Sequence, residues 1–284
     1  MTKKHIILLF ISILTSGFTY GQQNTNDTTD WKLVWSDEFD KKGELNPEYW
    51  NFENGFVRNN EAQWYQPQNA YCKSGLLIIE ARREKKLNPN YDATSKQWQK
   101  RREYAEYTSA SVNTANKKEF LFGRFEVRAR IDTLVGLWPA IWTLGAKGTW
   151  PSNGEIDIME CYPIHGISHI LANVACGTQK QYVAKWNSKT YPSTYFTKKN
   201  KNWVKKYHIW RMDWDKEYVR LYLDDELLNE VSVEEMQNAD GTSPFHQPHY
   251  ILLNLAIGGN RGGDPALTKF PSHYQIDYVR VYQK

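Results

Sequence analysis

Arg124-Phe125-Glu126-Val127-Arg128-Ala129-Arg130-Ile131 places an apolar side chain at every second position and a charge between each pair. A period of two is the pattern of a strand with one face in a core and the other in water. The same pattern returns twice downstream. His208, Trp210, Met212 and Trp214 alternate with Tyr207, Ile209, Arg211 and Asp213, and Val219, Leu221 and Leu223 alternate with Tyr218, Arg220 and Tyr222. It closes the chain through Ile276 to Tyr282, while the apolar runs Leu76–Ala81, Trp138–Leu144 and Ile251–Ile257 suit more deeply buried strands. No long stretch has the spacing of an amphipathic helix. Many strands separated by turn-rich loops imply an all-β architecture, a sandwich or barrel, rather than a parallel α/β fold. A two-sheet sandwich with one curved sheet would supply a groove for a chain-like ligand.

The start of the chain reads as an address. Lys3 and Lys4 precede the apolar run Ile6–Leu14, and Thr19-Tyr20-Gly21 offers a small-residue exit. This is the layout of a secretory signal peptide over residues 1–21, followed by a polar leader over 22–30. The run is shorter than the roughly 20 residues a membrane span needs. Trp31–Lys284 is then expected to be one catalytic domain, since no linker, repeat or low-complexity tract divides it.

A formal charge of +4, falling to about +2 once Lys3 and Lys4 leave, gives no warrant for nucleic-acid binding. Nothing in the chain calls for a membrane span, and a monomer is expected. Lys198, Lys199, Lys201, Lys205 and Lys206 form a local basic cluster, read as a solvated loop, with an anionic glycan as the alternative. Cys72, Cys161 and Cys176 are too few for a disulfide scaffold and wrongly spaced for zinc. A Cys161–Cys176 bond is not expected, because facing strand positions fit disulfide geometry poorly. The aromatic share, 14% with 12 tryptophans, fills cores first and also suits stacking on sugar rings. Gly258-Gly259-Asn260-Arg261-Gly262-Gly263 lacks the lysine of a phosphate loop and is read as a turn at the groove's edge.

Chemistry concentrates in Gly154-Glu155-Ile156-Asp157-Ile158-Met159-Glu160. Buried charge is costly without a task or a partner, and these acids lie between apolar residues. On a regular strand Glu155 and Asp157 share a face, and Glu160 falls on the other. A one-residue bulge near Ile158–Met159 brings all three together. Neighbours on one strand face lie about 6–7 Å apart at a rise of about 3.3 Å per residue. Their carboxyls can therefore approach the roughly 5–5.5 Å that a retaining glycosidase requires. Crowded acids also raise the pKa of at least one member, which keeps an acid protonated for leaving-group departure. Calcium prefers flexible loop oxygens to a strand row, and an exposed acidic face would not carry these isoleucines.

The string Glu-Ile-Asp-Ile-Met-Glu resembles the active-site signature of glycoside hydrolase family 16 in its bulged, laminarinase-like form. Further matches in order are Trp35-Ser36-Asp37-Glu38-Phe39, Asn59-Asn60-Glu61-Ala62-Gln63-Trp64-Tyr65, Gly136-Leu137-Trp138-Pro139-Ala140-Ile141-Trp142, Asn254–Asn260 and Asp277–Tyr282. The resemblance implies a two-sheet antiparallel jelly roll, concanavalin-like, with its cleft on the concave face. It implies Glu155 as nucleophile, Asp157 as its helper and Glu160 as acid/base. Trp138 and Trp142 would be sugar platforms and Asn60 a sugar-hydroxyl ligand. No cofactor is implied for catalysis. A structural calcium would involve Glu38, the Gly75 carbonyl and Asp277.

One departure bears on specificity. Where many laminarinase-like members carry a His-Trp pair before a glycine, this chain has Val174-Ala175-Cys176-Gly177. The expected activity is endo-cleavage of β-1,3-glucan, with a β-galactoside-containing glycan of agar or mucin type as the alternative. Transglycosylation would use the same residues. A non-catalytic glycan-binding module is the alternative of another class, and the complete three-acid set argues against it. The stretch Tyr182–Lys206, with Trp186, Tyr191, Tyr195 and Trp203, is expected to wall the cleft.

Overall fold

The alternation in the sequence becomes two antiparallel sheets packed face to face. The computed structural model describes residues 30–284, so the signal-peptide segment and nearly all of the leader lie outside the described residues. One eight-stranded sheet runs Glu226–Ser232, Tyr218–Leu223, His208–Trp214, Gly123–Arg130, Ser272–Gln283, Leu77–Ala81, Ala70–Cys72, with Lys32–Asp37 also paired to Ser272–Gln283. The other runs Ala184–Pro192, Ile167–Gly177, Glu155–Ile164, Leu137–Gly145, His249–Ile257, Ser111–Asn113, Asn51–Phe52, with Glu119–Phe120 on His249–Ile257. The architecture is a jelly-roll sandwich, and Trp31–Lys284 is a single compact unit.

Gly123–Arg130 shows how pattern becomes packing. Phe125, Val127 and Ala129 are buried, and Arg124, Glu126, Arg128 and Arg130 between them are half-buried on the outer face. From the facing sheet Ile141, Ile156, Ile158, Met159, Ile170, Ala172 and Val174 enter the same core. Each large apolar side chain removed from water contributes roughly 1.5–3 kcal/mol, so register is held tightly wherever one face is buried.

All three cysteines are free and buried. Cys161 lies opposite Ile170 and Cys176 opposite Lys185, so the two are not strand partners. The stretch Tyr182–Lys206 divides between two roles. Trp186 reaches the cleft, whereas Trp203 is buried against Phe196 and His208, and Tyr191 and Tyr195 pack with Phe196. Only the first of these aromatics is a wall of the groove. The basic cluster is exposed, with Lys199 held by Glu226.

Candidate active site

The strand that carries the three acids, Glu155–Ile164, crosses the cleft sheet. Against Leu137–Gly145, Trp142 pairs with Asp157 and Ile141 with Met159, leaving Ile158 as the inserted residue. Against Ile167–Gly177, Asp157 pairs with Asn173 and Glu160 with Leu171. Ile158 and Met159 are both buried, so two consecutive side chains enter the core and the parity of everything beyond them reverses. Glu160 and Tyr162 therefore face the cleft with Glu155, and Cys161 faces inward. Gly154 enters this strand at φ +81°, where a Cβ would meet Pro244 at 2.8 Å, so the turn that starts the row needs glycine.

Glu155 and Glu160 line a cleft of about 830 Å³ together with Trp138, Trp142, Trp150, Asn173 and Trp186. Asp157 lies beneath them, almost wholly buried. The Trp150 indole N–H donates to Glu155 Oε2, and that of Trp138 donates to Glu160 Oε1 at 2.8 Å. Asn173 Nδ2 donates to Asp157 Oδ2 and to Glu160 Oε2, both at 3.0 Å. One amide thus fixes the spacing of two acids.

Burial raises the pKa of all three carboxyls, and repulsion by neighbouring acids adds to it at Asp157 and Glu160. Glu160 is pushed up to about 7, first by desolvation and then by the Glu155 charge, against the pull of the Trp138 hydrogen bond. Asp157 stands well above the ordinary aspartate range for the same reasons, repelled by both neighbours. Glu155 is raised by burial too, but the Trp150 N–H, a hydrogen bond from Asp157 and the Arg58 charge favour its ionised form. The cluster therefore keeps a proton on Asp157 and supplies one at Glu160, while Glu155 is the best placed to ionise.

On one flank of this strand lies a charged, hydrogen-bonded wall. Arg58 pairs with Glu53 and stacks over Trp142, 5.1 Å from the ring centre. The Trp142 indole N–H donates to Asn254 Oδ1 at 2.8 Å, and Asn254 Nδ2 donates to Tyr65 OH at 3.1 Å. Asn260 and Arg261 reach the cleft from the short helix Gly259–Gly262, which replaces the simple turn read from the glycines. A Cβ on Gly259 would meet Asn59 O at 2.8 Å, so that approach also needs glycine.

The structure brings together Glu155, Asp157, Glu160, Trp138 and Trp142, but not Asn60. Asn60 is exposed and donates to Asn260 Oδ1 at 3.3 Å, and its neighbour Asn59 lines the cleft instead. Both asparagines have positive φ, +56° and +53°, and this turn directs them differently. The two carboxylates expected to join the Gly75 carbonyl around calcium find other partners. Both Glu38 oxygens accept from Arg280, at 2.9 and 2.8 Å, and Asp277 pairs with Arg128. Guanidinium groups already balance these charges, so the set as folded does not fit a cation. Asn173 and Trp150 carried no reading in the sequence, and Arg261 only that of a turn at the groove's edge. For Asn173 a signal existed: it is a lone amide inside the apolar run Ile170–Cys176.

The family model described as glycosyl hydrolases family 16 matches residues 81–280. A β-glucanase of Rhodothermus marinus is 34% identical over 96% of this chain and 92% of its own. The laminarinase catalytic domain of Thermotoga maritima is 31% identical, with a TM-score of 0.73 over 90% of this chain and 99% of that one. A structure from work on endo-acting O-glycanases, which prominent human gut bacteria express to initiate mucin breakdown, is 33% identical. Its TM-score is 0.80 over 90% of this chain and 92% of that one.

Proposed function

The chain belongs to glycosyl hydrolase family 16, and on that footing we propose that it cleaves internal β-linkages of a polysaccharide with net retention. Its substrate is a β-1,3-glucan of laminarin type. One observation carries the assignment of roles. Glu160, with its pKa near 7, shares an open cleft with Glu155, the carboxyl best placed to ionise.

The Glu155 carboxylate attacks the anomeric carbon while Glu160 transfers its proton to the glycosidic oxygen. The C–O bond to the departing sugar breaks, and a covalent glycosyl-enzyme remains. Water then attacks the same carbon, Glu160 takes up its proton, and Glu155 leaves as carboxylate. An acceptor sugar in place of that water would give transglycosylation through the same residues. Asp157, holding a proton, hydrogen-bonds Glu155 and limits charge build-up in the buried row. Three carboxyls running this cycle need no cofactor.

Proton NMR of products released in the first minutes, before mutarotation, tests the scheme. A fresh β-anomer is expected, and an initial α-anomer overturns the pairing of Glu155 with Glu160.

A second substrate reading, a β-galactoside-containing glycan of mucin type, is supported by Ala175, the strand partner of Glu155, whereas Cys176 turns into the core. The structural likeness to an O-glycanase supports it as well. Oligosaccharides released from laminarin, agar and mucin glycans separate the two. The third reading, a silent glycan-binding module, would leave all of these polymers intact. We also propose export of the mature chain, on the strength of Lys3, Lys4 and the apolar run behind them. It would act as a monomer. No helix among the described residues is long and apolar enough to cross a membrane.

A further inference from the structure

Trp186 lies on the strand Ala184–Pro192, at the end of the cleft sheet. It is the strand partner of Ala175, and Ala175 is the partner of Glu155. Directly opposed residues of antiparallel strands project to the same face, so Glu155, Ala175 and Trp186 form one row across the cleft floor. The rest of the strand confirms the direction. Lys185 reaches the Glu235 carbonyl, Asn187 Oδ1 accepts from Asn229 at 3.2 Å, and Tyr191 OH donates to the Leu228 carbonyl at 2.7 Å. Those three face the other sheet, and Trp186 and Ser188 between them face the cleft.

Of the twelve tryptophans Trp186 is the most exposed, at 45%. Among the described residues its indole N–H makes no hydrogen bond, and no aromatic ring packs against it. Ala175 and Ser188 beside it are small, so neither screens the ring on its catalytic side. An indole left open in a groove of this kind is a binding surface awaiting an apolar partner.

We propose that Trp186 is the stacking platform for a sugar ring next to the reacting one, on the flank of the catalytic strand away from Arg58. It rests on the glycan-cleaving function proposed above and names a residue that sets the binding of the chain beyond the scissile bond. Two strand spacings separate Trp186 from the catalytic strand, about 10 Å. That is too far to touch the sugar held at Glu155, and far enough to meet its neighbour. The ligand is a pyranose with an unsubstituted apolar face, laid flat on the indole. Ala175 leaves that sugar lateral room which a larger side chain would occupy.

The test is steady-state kinetics of wild type, Trp186→Ala and Trp186→Phe on laminarin-type β-1,3-glucan and on a mucin-type glycan. Whichever polymer the wild type cleaves serves as the probe. Trp186→Ala is expected to raise KM about tenfold and lower kcat by less than about threefold, the scale of one aromatic contact. Trp186→Phe keeps a ring and should recover most of the loss. Melting temperatures should agree within about 2 °C, since an exposed edge position contributes little to stability. Wild-type cleavage with an unaltered KM in Trp186→Ala overturns this inference alone. A wild type that cleaves neither polymer overturns the function on which it rests, and the inference with it.

Discussion

Replacing Asn173 by alanine removes the amide that donates to Asp157 and Glu160 together, at 3.0 Å each. A hydrogen bond to an ionisable carboxyl is worth about 1.5–3 kcal/mol. The loss is divided between ground state and transition state, because Glu160 changes charge during the cycle. If about half of one such pair acts on the transition state, and the freed carboxyl also wanders from its line of proton transfer, kcat should fall by roughly 10–100-fold. KM should stay within about threefold, since Asn173 is 3% exposed and offers a substrate little surface. The pH profile carries a second sign. The Asn173 amide donates to Glu160 Oε2 as well as to Asp157, and a donor favours the ionised carboxyl, so its removal raises the Glu160 pKa. The alkaline limb should then move up rather than down. Kinetics over pH 4–9 with melting curves on the same preparations would measure both. A variant with kcat within twofold of wild type, and an unmoved alkaline limb, would refute the positioning role.

Glu155→Gln and Glu160→Gln should each cost at least the roughly 10²–10⁴-fold attributable to acid–base help. Their melting temperatures should hold or rise, because each substitution relieves like-charge repulsion; near-normal turnover in either removes it from the mechanism. Glu160 acts as an acid when protonated, so kcat/KM of the wild type should decline as pH rises through about 7. Arg261 stabilises the Glu160 anion, and Arg261→Gln should therefore carry the alkaline limb to higher pH; a limb that moves down contradicts this. His249 is wholly buried between Thr143 Oγ1 at 3.0 Å and the Pro244 carbonyl at 3.1 Å, its pKa lowered to about 4 by burial. The unfolded chain binds the proton first, so stability is present in full above about 6.5 and falls as pH drops toward 4. The loss is on the order of 3 kcal/mol. Urea melts of wild type and His249→Gln across that window would show it as a flatter pH dependence in the variant.

Periodicity alone was enough for an all-β architecture, a sandwich or barrel, and the resemblance narrowed it to the sandwich. Gly123–Arg130, His208–Trp214 and Tyr218–Leu223 fold where their alternation says, because turning a strand over would put arginines in the core and phenylalanine in water. The bulge was also legible, since three acids in an apolar run leave few arrangements that solvate them all, and an extra residue at Ile158 is one. What the linear pattern could not carry was anything set by partners distant in sequence. Asn173 bridges two acids only because strand pairing brings it opposite Asp157. Trp186 reaches the cleft only because its strand adds to the sheet edge beyond Ala175, whereas Trp203, equally aromatic, turns into the core. Asn59 and Asn60 are the same residue type one position apart, and a left-handed turn sends only the first to the groove. Glu38 and Asp277 gave no hint in the sequence that arginines on neighbouring strands neutralise them. Local pattern determines which face a side chain occupies, because that depends on a burial energy repeated along every strand. Which groups then meet across that face depends on long-range pairing, and only the tertiary structure decides it.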